Sequence, residues 1–430
     1  MARVAGALIV VAGVLASREA SAASAIAQVA AEVAKGLGAV PAGSLVVASP
    51  MTSDVPMTKG DEVALRVANV VAGKLPGSAR AHGQALALSL AHAAAKGKPA
   101  VVFLKVEVAR GELRVVADAF PVVANGWDRI RLPPPPPVGH AYASAPVDAE
   151  VRAGMPPIPL EQAHVTKAKQ DEGDVLAIAC GDVDGDGSVE LVTVTRERVA
   201  VGRVRAGKLA VERAAPWSKL APRAPVPLRE ALAGAAVVRG QGVRVGITDR
   251  APVWLDASLA PKELLHGVPV GEDGCAMVDA AASSFGGPVT PCAGPIRSLP
   301  SLAEAPRRWD AGAFARVVDA RGEEVVAVAT REPNGRLGLR VGAATLRPLD
   351  GAGAQIALGD LDLDGAPDVV SSAAGSDDVL SVHSLVGGEL KPRLKVAAPG
   401  TIRAVCTCPP EERGLPAAVA VVGDEVWLVR

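Results

Sequence analysis

Two stretches of this chain place acidic side chains where they could hold a metal ion. Residues 178–192 read Ile-Ala-Cys-Gly-Asp-Val-Asp-Gly-Asp-Gly-Ser-Val-Glu-Leu-Val, and residues 356–370 read Ile-Ala-Leu-Gly-Asp-Leu-Asp-Leu-Asp-Gly-Ala-Pro-Asp-Val-Val. Each is strand-like, then Gly, then DxDxDG, then two residues, an acid and a second strand-like run. Calcium takes six to eight oxygens around a compact loop. Acids at positions 1, 3 and 5 turn inward when the chain coils tightly, and Gly187 or Gly365 at position 6 permits that coil. The expected ligands are Asp182, Asp184, Asp186, the Ser188 carbonyl and Glu190 in the first loop. In the second they are Asp360, Asp362, Asp364, the Ala366 carbonyl and Asp368. Four acids within nine residues repel one another without a counter-ion. The plainer alternative is an acidic, solvated turn with no metal.

An EF-hand would need Glu at position 12 and flanking helices, whereas position 12 is Thr193 or Ser371 and β-like residues follow. The ninth-position acid must close the shell instead. In this the two loops resemble FG-GAP/VCBS (integrin-like) repeats. The resemblance implies a calcium-binding β-propeller in which each loop joins two strands of a blade. The first loop departs from the commoner pattern by carrying Glu190 in place of Asp.

The rest of the C-terminal region supports a worn repeat. Asp319 aligns with Asp360, 41 residues on, and residues 404–422 read as another copy. Candidate copies fall near 182, 238, 276, 319, 360 and 405, and only two keep the acids. Residues 173–430 are therefore expected to form about six blades, some degenerate, with short strands, Gly-containing turns and one short helix at 226–235.

Upstream, residues 24–38 carry Ile26, Val29, Ala30, Val33 and Leu37 at helical spacing, with Gly38 as the stop. A strand at 44–48, helices at 59–75 and 84–96, and strands at 100–109 and 112–120 around Arg110-Gly111 complete a small α/β domain over 23–120. Its order faintly resembles the N-terminal domains of TolB-like and CsgG-like envelope proteins. Residues 121–172 hold the run Pro133 to Pro137, then Pro146, Pro156, Pro157 and Pro159, the composition of a stiff linker. The fold class expected is thus α/β plus all-β in one multidomain chain.

Residues 1–22 read as a signal peptide: Arg3, a short apolar run, then Ala20-Ser21-Ala22. An uncleaved anchor is the alternative. Export to the periplasm, the outer membrane or beyond permits disulfides. Cys275 and Cys292 bracket one Gly/Pro-rich excursion and are the expected pair; Cys406 and Cys408 could bond each other, or one could reach Cys180.

The formal net charge of −1 leaves no basic excess for nucleic acid, and 2% aromatics argues against a sugar- or base-stacking surface. No GxSxG, HExxH or phosphate-binding GxxxxGK[ST] is present, and the six histidines are scattered. The expectation is a non-catalytic, exported binding or scaffold module for a protein or extracellular polymer, with no transmembrane span after cleavage. The alternatives are a propeller enzyme, a lyase or hydrolase using the central channel, and a purely structural envelope component.

Overall fold

The computed structural model describes residues 24–123, 135–223, 231–279, 284–293, 308–318, 324–373, 375, 377–410 and 415–430. The expected signal segment lies outside these residues, as do Pro133, Pro134 and Asp319.

The N-terminal part is a sheet covered by helices. Helix Ala25–Leu37 begins at Ser24, whose hydroxyl accepts from the Ala27 amide, and ends at Gly38, where φ is 65°. Its buried stripe is Ile26, Val29, Ala30, Val33 and Leu37, the stripe the spacing predicts. Helix Gly60–Lys74 has Asp61 and Glu62 in its first turn and Lys74 in its last, which suits the helix dipole. The sheet runs Arg80–Ala81, Leu45–Ala48, Ala100–Ala109, Glu112–Pro121, Gly139–Pro146, with Thr52–Ser53 beside the long third strand. Arg110 and Gly111 both have positive φ, 55° and 76°, as a two-residue hairpin turn requires. The expected helix 84–96 is shorter, Leu88–Ala94.

Residues 121–172 are more than a spacer. Gly139–Pro146 pairs along its whole length with Glu112–Pro121 and completes the N-terminal sheet. Val165–Lys169 pairs antiparallel with Glu425–Val429, the last strand of the chain. The proline run gave no hint of either strand, because pairing partners lie outside the stretch.

From Val175 onward the described residues form a ring of sheets. The first has strands Val175–Gly181, Glu190–Thr195, Arg198–Arg205 and Lys208–Pro216; the next three begin at Ala233, Val268 and Ala311, and the fifth at Ala352. The sixth has Ile402–Cys408, Ala417–Val422 and Glu425–Val429, with Val165–Lys169 as its fourth strand. The first strand of each sheet leads, and the last sheet packs beside the first. This is the ring of a β-propeller, closed by mixing a strand from before the ring into its final sheet. The expected short helix at 226–235 is corrected: residues 233–238 are a strand, and 224–230 lie outside the described residues.

Small aliphatic side chains fill the space between sheets, as the aromatic-poor composition requires. Trp217, Trp309 and Trp427 are the large anchors, each buried, with indole N–H groups donating to Thr195 O, Gly287 O and the Glu425 carboxylate.

Two disulfides are present. Cys275–Cys292 ties the second strand of one sheet to the residue just past its third strand, as expected. The open choice among the others resolves as Cys180–Cys408, which joins the first strand of the first sheet to the first strand of the sixth. Cys406 is free and buried, and burial pushes its thiol up. No described helix is long and apolar enough to cross a membrane.

Candidate metal centre

Each DxDxDG loop leaves the first strand of a sheet and returns as the second. Gly181 pairs with Glu190 in one, and Gly359 with Asp368 in the other, so the first and last acids are brought face to face by the ladder. Asp182 accepts from the Gly185 and Gly187 amides at 2.7 and 3.2 Å; Asp360 accepts from Asp364 and Gly365 at 3.1 Å each. The ninth-position acid reaches back: Glu190 accepts from Val183 N at 2.9 Å, and Asp368 from Leu361 N at 2.6 Å. Gly185, Gly187 and Gly365 have φ of 82°, 83° and 83°. Leu363 occupies the position of Gly185 with φ 60°, a conformation that costs a side chain roughly 1 kcal/mol.

Three acids of each loop converge. Ligand oxygens of Asp182, Asp184 and Glu190 lie within 4.8 Å of one another, and so do those of Asp360, Asp362 and Asp368. The fifth-position acids do not join them. Asp186 accepts from Ser188 N and Asp364 from Ala366 N, at 2.8 and 2.7 Å.

The two clusters differ in cations and in which acids are buried: Asp182 and Glu190 in the first, Asp362 and Asp368 in the second. In the second, residues 152–162 pass over the loop: Ile158 N donates to Asp362 O at 2.8 Å, and Arg393 bridges Glu161 and Asp362. Burial pushes the Asp360 carboxyl up to about 7, Asp362 to about 6 and Asp368 to about 7, with the neighbouring acids adding to each. Among the described ion pairs, Arg393 is the cation that touches an acid of this loop, at Asp362. Buried carboxylates that repel one another are a donor set that a hard divalent cation fits.

In the first loop arginines stand among the acids. Arg203 Nε donates to Glu190 at 3.1 Å, and its Nη2 reaches both Glu190 and Asp186, the latter at 2.8 Å. Arg213 lies 3.4 Å from Asp184 and 3.8 Å from Glu190. Asp186 is held below the usual carboxylate range by the Ser188 amide and then by Arg203. The arginines were not singled out from the sequence. They lie on the third and fourth strands, and nothing in a linear reading aligns them with the loop.

No family model matches the chain, and no curated protein matches it. Solved structures similar to it include PQQ-bound aldose sugar dehydrogenase from Streptomyces coelicolor, 11% identical, covering 64% of this chain and 98% of that one, TM-score 0.37. An oxidoreductase described as a glucose dehydrogenase, from Thermus thermophilus, is 11% identical over 62% of this chain and 100% of that one, TM-score 0.36. TolB from Acinetobacter baumannii is 12% identical over 84% and 95%, TM-score 0.29. The expectation of a non-catalytic scaffold is corrected here: two of these similar structures are dehydrogenases, so the statement that the chain is not an enzyme does not stand. At such identities and scores the likeness carries no substrate or cofactor to this chain.

Proposed function

We propose that the chain is an exported, six-bladed propeller of the FG-GAP/VCBS type that holds calcium at its second DxDxDG loop. The observation that carries this is the convergence of Asp360, Asp362 and Asp368 in a largely buried loop where one arginine meets an acid. Asp364 and the Ala366 carbonyl complete the ligand set in this reading. The metal supplies charge neutralisation and does no chemistry. It locks the turn between two strands of the fifth blade and the strap of residues 152–162 that lies on it. Catalysis in a propeller enzyme would fall to side chains of the central channel. The two disulfides, together with the small-x-small site ending at Ala22, support export.

Titration calorimetry with Ca2+ at pH 7.5 tests the metal. Wild type is expected to bind with a Kd on the order of 0.1–1 mM, the range of extracellular calcium modules. Asp362→Asn keeps the shape and removes a charge, and is expected to weaken binding at least about tenfold, a loss of about 1.4 kcal/mol. A wild-type chain giving no calcium heat at 10-fold higher concentrations would remove this reading.

A further inference from the structure

We propose that Arg203 and Arg213 are the built-in cation of the first DxDxDG loop, so that this blade is locked by arginine and takes no calcium. The inference rests on the reading that the second loop is the metal site, and it concerns why an almost identical motif in the same ring differs.

The ladder makes the comparison residue by residue. In the first blade Gly202 pairs with Leu191, which sets Arg203 opposite Glu190. In the fifth blade Ser384 pairs with Asp368. The residue facing the ninth-position acid is therefore Arg in one blade and Ser in the other. The fourth strands align as well. Both third-to-fourth ladders slip at the same place, between Val201 and Gly202 and between Val382 and His383. Val201 pairs with Arg213, and Val382 with Leu394. Thus two positions that are Arg203 and Arg213 in the first blade are Ser384 and Leu394 in the fifth.

The acid side of the loop fits the same division. Glu190 is one methylene longer than Asp368. Its Oε2 still reaches the Val183 amide, while its Oε1 turns to Arg203. Arg203 is mostly covered and ion-pairs with both Glu190 and Asp186, supplying the positive charge those acids would otherwise take from a metal. Arg213 is pinned from the other side by donating to Ala257 O at 2.7 Å, which ties it to the second blade. A guanidinium cannot lose its charge near neutral pH, so this lock does not depend on calcium supply. Asp184 is exposed where its counterpart Asp362 is buried, and the first loop is crossed by residues 239–242 of the second blade, where the Gly240 and Gly242 amides donate to Asp182 O and Val183 O and Arg239 adds a further cation 3.8 Å from Asp182.

Flow dialysis with radioactive calcium on the full mature chain tests this by stoichiometry. Four proteins are compared: wild type, Asp184→Asn, Asp362→Asn, and the double variant Arg203→Ser/Arg213→Leu, which gives the first blade the residues of the fifth. One calcium per wild-type chain, kept in Asp184→Asn and lost in Asp362→Asn, is the expected pattern. The double variant is expected to bind two. Two calcium ions in wild type, with one lost in Asp184→Asn, would overturn the inference, whatever the double variant does and even if it fails to fold. No calcium in wild type would instead defeat the reading of the second loop. In that case a gain of one ion by the double variant still supports arginine as the first loop's cation, and no gain overturns it.

Discussion

Chelating calcium from the native chain is expected to lower its thermal midpoint by about 5 °C. At about 10 mM calcium, a hundredfold over a Kd of about 0.1 mM, a ligand bound to the folded state alone stabilises by about 2.7 kcal/mol. A chain of this size converts each kcal/mol into roughly 2 °C. The same acids set a pH dependence of definite sign. Asp360, Asp362 and Asp368 titrate higher in the folded, metal-free chain than in the unfolded one. The folded state therefore holds more protons between about pH 4 and 7 than the unfolded state does. Stability contributed by these groups is complete below pH 4 and is lost as pH rises through about 7, a loss on the order of a few kcal/mol. In chelator the midpoint should accordingly fall between pH 5 and pH 7.5. With millimolar calcium this fall should be reduced or abolished, because the metal replaces the protons. Differential scanning calorimetry at both pH values, with calcium and with chelator, measures all four conditions. Equal midpoints in all four would mean that the second loop is an acidic turn.

Removing the Cys180–Cys408 bridge is expected to cost more than removing Cys275–Cys292. The bridges close 228 and 17 residues of sequence separation. By chain entropy the long one is worth about 5 kcal/mol and the short one about 3 kcal/mol, and measured values commonly fall below such figures. Position adds to length here. Cys180–Cys408 joins the first strands of the first and sixth sheets, which is where the ring must shut. The other closure, Val165–Lys169 on Glu425–Val429, is not covalent: it rests on backbone hydrogen bonds, on Ala168 and the buried Val426, Trp427 and Val429, and on Lys167 against Glu425 and Trp427. Cys406 cannot substitute readily, because its buried thiol resists ionisation. Urea unfolding of Cys180→Ala/Cys408→Ala and Cys275→Ala/Cys292→Ala measures the order. A larger loss from the second pair, or none from the first, would contradict this account of ring closure.

What the sequence showed of this molecule follows how local each feature is. The acids of both loops were legible because their spacing and the glycine at position 6 are properties of nine consecutive residues. The stripe on Ala25–Leu37 was legible because helical contacts repeat within four residues. Ring closure was not legible. Val165–Lys169 reads as an exposed, lysine-bearing segment after a proline-rich stretch, and only its partner 260 residues on makes it a strand. Cys180–Cys408 is hidden for the same reason. Arg203 and Arg213 were missed because their meeting with the first loop depends on a strand register interrupted by a bulge between Val201 and Gly202. No pattern of charges along the chain encodes that slip. The expectation of a non-catalytic chain rested on missing motifs, which a propeller assembling a site from distant loops need not contain.

The most direct measurement is anomalous diffraction from crystals of the mature chain grown in millimolar calcium, recorded at long wavelength. The account predicts one strong peak enclosed by carboxylate oxygens of Asp360, Asp362 and Asp368, and none among Asp182, Asp184 and Glu190, where Arg203 and Arg213 stand. Density at the second loop explained by water and Arg393 alone, with no anomalous peak, would contradict the claim that calcium holds this blade.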